Sequence, residues 1–174
     1  MSSTIIQLGA EVLREKAVPL TEADIKSPRL KDVLAKLKKV LAEREDGVAI
    51  AAPQIGVTWR LFMVSTRAFD EMGKPGRPEL IFINPEIIRR SRSKREMIEG
   101  CLSVNNVYGR TRRHEKVTIK ALDERGQQVT YNATGLLAQI FQHEVDHLNG
   151  VLFVDHARDL EIIEPEAAKP KKDA

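Results

Sequence analysis

The chain has 174 residues, 42% of them hydrophobic, enough for one proper core and most simply a single domain. Its 28 Lys and Arg against 25 Asp and Glu leave a net charge of +3, a mild excess that permits an anionic partner without demanding one, and neither DNA nor a membrane is expected. The single cysteine excludes an internal disulfide, no apolar run reaches membrane-spanning length, and Met1 to Leu8 do not resemble a signal peptide, so the expected location is cytoplasmic.

The first element opens at Ser27-Pro28, and Leu30, Val33, Leu34, Leu37, Val40 and Leu41 give the spacing of an amphipathic helix. Lys36, Lys38, Lys39, Glu43 and Glu45 fall on its wet face, and Asp46-Gly47 supplies the stop. Val48 to Ala52 reads as a short buried strand whose small side chains allow close approach, broken by Pro53-Gln54-Ile55-Gly56. On this segment alone Gln54 reads as a turn residue bonded to local backbone. Leu61 to Ser65 and Leu80 to Ile83 are predicted strands joined by an irregular loop over 72–78, and Asn84-Pro85 turns the chain into Ile87-Ile88. Arg89 to Arg95, rich in cations but lacking aromatics or a recognised motif, reads as an exposed hairpin end in preference to a contact with ribosomal RNA. The only thiol, Cys101, follows Gly100; a lone cysteine is usually a small buried hydrophobe, and a histidine pair elsewhere shifts the balance toward a ligand. Lys116 to Leu122 and Gln128 to Tyr131 flank Asp123 to Gly126 as a hairpin.

A second helix starts near Thr134 and carries Leu136, Ile140, His143 and His147 on one face, with Asn149-Gly150 closing it. The fold class is therefore α+β: short antiparallel strands packed around a central C-terminal helix, plus the N-terminal amphipathic helix. One domain is expected over residues 1–157, followed by a solvated tail over 158–174.

In Gln142 to His147, His143 and His147 stand one helical turn apart, so both imidazoles can reach a single metal ion. Glu144, about 100° further round, would face the open side of that ion without being a ligand. The bland alternative is a solvated helix face. With the Cys101 thiolate, the two histidines make a three-ligand, open centre of the catalytic kind. A divalent ion there would bring the pKa of its water to about 7, and Glu144 could accept a proton and pass it to a leaving amine. That chemistry is hydrolysis of an amide-like bond.

The segments GVAIAAPQ (Gly47 to Gln54), EGCLS (Glu99 to Ser103) and QHEVDH (Gln142 to His147), in this order, resemble the three signature motifs of the peptide deformylase family, over about Ile6 to His156. The resemblance implies an α+β fold and removal of the formyl group from N-terminal methionine. The partners it implies are N-formylmethionyl nascent peptides, with a transient ribosome contact. It also implies a metal held by Cys101, His143 and His147, usually ferrous iron and replaceable by nickel, cobalt or zinc. By the same resemblance Glu144 carries the proton, while the Gln54 side chain and the Leu102 backbone N–H stabilise the oxyanion. A methionine side chain needs an apolar pocket, for which Val48, Ala49, Met97, Leu136 and Ile140 are the candidates, with plain core as the alternative. Asp146 either orients a ligand or makes a surface ion pair.

Two positions depart from the family pattern. Ala49 replaces a usual glycine, which should crowd the substrate backbone and lower activity or shift preference, and Asn105 replaces a usual proline, which should loosen the loop after the cysteine. Two competing readings remain: a metzincin-like peptidase using His156, since Phe153 stands where that pattern has its third histidine, and a deformylase-like binding protein without turnover.

Overall fold

Local chemistry sets the first helices of the computed structural model, which describes residues 4–164. A capping box between Thr21 and Asp24 closes the short α1 (Glu22–Lys26). Pro28, whose missing N–H costs nothing at a first helical position, opens α2 (Pro28–Ala42). The whole stripe of Leu30, Val33, Leu34, Leu37, Val40 and Leu41 is buried, as its spacing predicts. The helix stops at Ala42, earlier than expected, and Gly47 does not end it. A side chain at Gly47 would come within 3.0 Å of the Leu41 and Leu102 side chains, so that glycine serves close packing.

Among the described residues eight strands follow: β1 (Ala49–Ala51), β2 (Leu61–Val64), β3 (Leu80–Arg90), β4 (Lys94–Cys101), β5 (Val104–His114), β6 (Lys116–Leu122), β7 (Gln128–Thr134) and β8 (Arg158–Ile162). They form two antiparallel sheets, a larger one in the order β1-β2-β3-β6-β7 and a smaller one in the order β4-β5-β8. A short helix, α3 (Thr66–Glu71), follows β2, and α4 (Gly135–Leu148) follows β7. The larger sheet is covered on both faces, which explains the unbroken apolar run of β2. Leu61 and Met63 pack with Leu37 and Ile50 beneath α2, whereas Phe62 and Val64 pack with Phe82, Ile119 and Phe141 beneath α4. Phe62, Phe82 and Phe141 meet at ring separations of 4.9–6.0 Å, in tilted or edge-to-face geometry.

The antiparallel α+β architecture agrees with expectation, while several local readings need correction. Residues 66–71, between the predicted strands Leu61 to Ser65 and Leu80 to Ile83, are helical. Asn84-Pro85 is a bulge within β3, not a turn: Asn84 takes a left-handed φ of 51°, and its amide pairs with the Leu20 N–H and carbonyl at 2.8 and 2.9 Å. The basic run is not a hairpin end, because β3 and β4 belong to different sheets and Ser91 to Ser93 cross between them. Asn105 lies at the start of β5 and not in a loop. The expected tail begins with β8, an exposed strand paired to β5, and its residues 165–174 lie outside the described ones. Among the described residues, no helix is long and apolar enough to cross a membrane.

Candidate functional site

Helix α4 divides its surface between two tasks. Ala138, Phe141, Val145 and Leu148 enter the core, and the adjoining face carries Leu136, Ile140, His143, Glu144 and His147. Its C-terminal end is tied down. The Arg60 guanidinium donates to the Leu148 carbonyl at 3.1 Å and to Asn149 Oδ1 at 2.9 Å, a cation placed where the last carbonyls concentrate negative charge. Gly150 follows with φ 74°, and a Cβ there would lie 2.3 Å from the Arg14 carbonyl oxygen, so the residue must be glycine twice over.

Cys101 ends β4, just past an irregularity in its pairing with β5. The Tyr108 ring lies over Gly100, where a Cβ would come within 2.6 Å of it. The bend at Leu102 and Ser103 is anchored from the N-terminal segment: the Gln7 amide donates to the Leu102 carbonyl at 3.0 Å and the Leu8 N–H to the Ser103 carbonyl at 2.7 Å. Cys101 Sγ thereby sits 3.2 Å from His147 Nε2, and one donor atom from each of Cys101, His143 and His147 lies within 4.8 Å of the others.

These three residues fit a divalent metal ion. Bonds of about 2.0–2.3 Å at tetrahedral angles put nitrogen and sulfur ligands roughly 3.5 Å apart, near the observed separation. His143 Nδ1 is 2.9 Å from Glu99 Oε2, which leaves Nε2 free for the ion. His156, the third ligand of the metzincin reading, is not part of the group; its Nε2 stands 3.5 Å from Asp146 Oδ2.

Behind His143 runs a buried charged network. Arg113 grips Glu99 through Nε at 2.6 Å and Nη2 at 2.9 Å, its Nη1 donates to Asp146 at 2.6 Å, and Thr111 Oγ1 donates to Glu99 at 2.7 Å. Asp146 pairs with Arg113, which in turn holds Glu99 against His143, so its link to that ring is indirect. Burial alone would raise the Glu99 carboxyl, but Arg113 and His143 outweigh it and hold it well below the usual carboxylate range. His143 is likewise raised in spite of burial, by Cys101 and Glu99, whereas burial and the neighbouring His143 lower His147. The motif that contains Cys101 was the only sequence signal for Glu99, and nothing in the sequence marked Arg113.

Glu144 faces the same space without joining that network. Among the described residues its Oε2 is buried with no hydrogen-bond partner, and burial pushes the carboxyl up to about 7. A cation bound beside it would draw that value back down. Gln54 sits in a short 3-10 turn and makes the local backbone bond expected of a turn residue. Its Oε1 accepts the Ala51 N–H at 2.8 Å, while its Nε2 donates to Ser103 Oγ at 3.1 Å and lies 3.8 Å from Cys101 Sγ.

A cavity of about 240 Å³ opens onto these groups. Its walls include Val48, Ala49, Gln54, Cys101, Leu102, Leu136, Ile140, His143 and Glu144. Met97 is not among them. Its neighbour Ile98 lines the cavity instead, with its carbonyl held by the Gln139 amide at 2.8 Å.

A family model described as polypeptide deformylase matches residues 2–162. A peptide deformylase of Thermomicrobium roseum is 44% identical over 157 residues, 90% of this chain and 86% of the relative. Peptide deformylase 2 of Clostridium acetobutylicum is 39% identical over 145 residues, 83% and 88% of the two chains. Among solved structures, the Met-Ala-Ser-bound class I type b peptide deformylase of Acinetobacter baumannii aligns with a TM-score of 0.81 at 34% identity, covering 90% of this chain and 99% of that one.

Proposed function

The chain belongs to the polypeptide deformylase family, and from that premise we propose that it hydrolyses the formyl amide of N-formylmethionyl nascent peptides in the cytoplasm, releasing formate and a free α-amine. The observation that carries this reading is the meeting of Cys101, His143 and His147 within 4.8 Å beside a cavity lined by Glu144, whose Oε2 has no hydrogen-bond partner among the described residues.

Cys101, His143 and His147 would hold one divalent ion, ferrous iron in the native protein, with zinc, nickel or cobalt as substitutes that a thiolate and two imidazoles also accept. When bound, the ion lowers the pKa of a coordinated water toward neutrality and polarises the formyl oxygen. The remaining steps fall to the protein. Glu99 fixes the His143 ring through Nδ1 and is itself fixed by Arg113. Glu144 takes a proton from the attacking water and returns it to the methionine nitrogen as the C–N bond breaks. The Gln54 amide and the Leu102 backbone N–H donate to the oxygen as negative charge develops on it. Val48, Leu136 and Ile140, with Ile98 at the rim, enclose the methionine side chain.

The test is formate release from formyl-Met-Ala-Ser by protein prepared without oxygen and loaded with ferrous iron or nickel. Wild type should turn over. Glu144→Ala should lose at least a hundredfold in kcat while binding metal stoichiometrically. Metal-loaded wild type that releases no formate would sink the reading.

A further inference from the structure

Gln139 stands in the wall of the cavity, and the proposed reaction gives it no task beyond holding a carbonyl. On α4 it follows Leu136 by three residues and precedes His143 by four, so helical spacing puts it on the stripe that faces the site. Among the described residues three glutamines are buried, Gln54, Gln139 and Gln142, and their amides are used differently. Gln54 is occupied at both ends. Gln142 accepts the His114 N–H at 3.0 Å and donates to the His114 and Ala138 carbonyls at 2.9 Å each, so its whole amide is satisfied. Gln139 makes a single bond, from Nε2 to the Ile98 carbonyl, and that carbonyl fixes which end of the amide is nitrogen. Among the described residues its second N–H and its Oε1 have no partner.

The residue is only 8% exposed, yet its oxygen is not sealed in. The enclosed side-chain atoms without a partner are Ser65 Oγ, Glu144 Oε2 and His147 Nδ1, so Gln139 Oε1 opens onto the cavity that the residue lines with Leu136 and Ile140. A half-used amide beside Val48, Leu136 and Ile140 weakens a wall that an apolar side chain of similar volume would pack better. Solvent satisfies such a group until a side chain enters. Methionine displaces that solvent and returns little, because a thioether is a weak acceptor with no proton to donate. Its sulfoxide returns more. Oxidation adds one polar oxygen to the sulfur without lengthening the chain, and that oxygen accepts the free Nε2 proton. Its second lone pair takes a water that also donates to Oε1, so that both open positions of the amide are served.

We infer that Gln139 widens the substrate class of the site: formylated peptides that begin with methionine sulfoxide are deformylated alongside those that begin with methionine, and Gln139 is the residue that reads the sulfoxide. The inference rests on the proposed function and specifies its substrate.

The test compares kcat/KM for formyl-Met(O)-Ala-Ser, separated into its two sulfoxide epimers, with kcat/KM for formyl-norleucyl-Ala-Ser, which has the length of methionine and no polar atom, on nickel-loaded protein. Each protein is read by the ratio of the two, so that a general loss of activity cancels. In the wild type the better epimer should be turned over within about tenfold of the norleucine peptide, and the epimers should differ, since a donor fixed in one wall meets one face of a chiral sulfur. Gln139→Leu should lower the ratio about thirtyfold and erase the difference between epimers. Gln139→Met, unbranched and of matching length, should do the same and carries the comparison if leucine packs badly, with thermal melts to show that both fold. A ratio unchanged in both variants would overturn the proposal and leave Gln139 as a brace for the Ile98 carbonyl alone. A wild type that turns over the norleucine peptide and neither epimer would overturn it as well. No turnover of formyl-Met-Ala-Ser by the same preparation would instead sink the deformylase reading, and this inference with it.

Discussion

Both ends of the Gln54 amide are occupied, and the second partner, Ser103, has no other evident reason to be a buried hydroxyl. Ser103→Ala removes the acceptor that aims Nε2 toward Cys101. It should lower kcat about tenfold, with KM and metal content unchanged, because a misdirected donor is felt where charge develops and not where substrate first binds. Ala49 lines the cavity, and on the proposed reading its methyl would crowd the backbone of a bound peptide. Ala49→Gly should raise kcat/KM for a formylmethionyl peptide several-fold, at a cost of roughly 0.5–1 kcal/mol in stability for a glycine within a strand; an unchanged kcat/KM would remove the steric explanation. Behind the histidines, Glu99→Ala should weaken metal binding about 10–100-fold in a competition titration, since His143 loses the partner that orients it. The three donors and Glu144 were legible because helical spacing and ordered motifs depend on residue type alone. Glu99, Arg113 and Ser103 were not given roles, because theirs follow from which strands pair.

The same distinction separates the elements. The stripe of α2, the two-sided apolar run of β2 and the β6–β7 turn each declare themselves through a local pattern. The β4–β5 ribbon does not. The buried positions of β5 include Gly109, Thr111 and Arg113, and that of β4 is Glu99, so the inner face of the ribbon is polar and leaves no hydrophobic alternation to read. Its polar side chains converge on His143: Thr111 and Arg113 hold Glu99, and Glu99 holds the ring. Helix α4 invites a direct test at its C-terminal end, where Gly150→Ala combines a left-handed φ with a Cβ inside contact distance of the Arg14 backbone. The substitution should cost about 2–4 kcal/mol by urea denaturation, and the displaced helix end should lower metal affinity as well.

Arg14 and Asp155, 141 residues apart in sequence, join the N-terminal segment to the turn after α4 by two hydrogen bonds of 2.5 and 3.0 Å. The hydrogen bond from Arg14 lowers the Asp155 pKa, so the pair stabilises the fold at neutral pH and that contribution disappears as pH falls through the depressed folded value. Both side chains are well exposed, which limits the effect to about 1 kcal/mol or less. The gap in unfolding free energy between wild type and Asp155→Asn should therefore be present at pH 7 and close on acidification below about pH 4. A metal held between β4 and α4 would cross-link the smaller sheet to the central helix, and stripping it with a chelator should lower the melting temperature by about 5–10 °C. The sequence separation of 46 between Cys101 and His147 has one more consequence. An unfolded chain keeps only the two histidines within reach of each other, too little to capture an ion, so the third ligand arrives only after the sheets have formed. On the proposed reading a metal would then enter a finished protein through the cavity mouth, and its identity would reflect whichever ion was at hand when the door was already built.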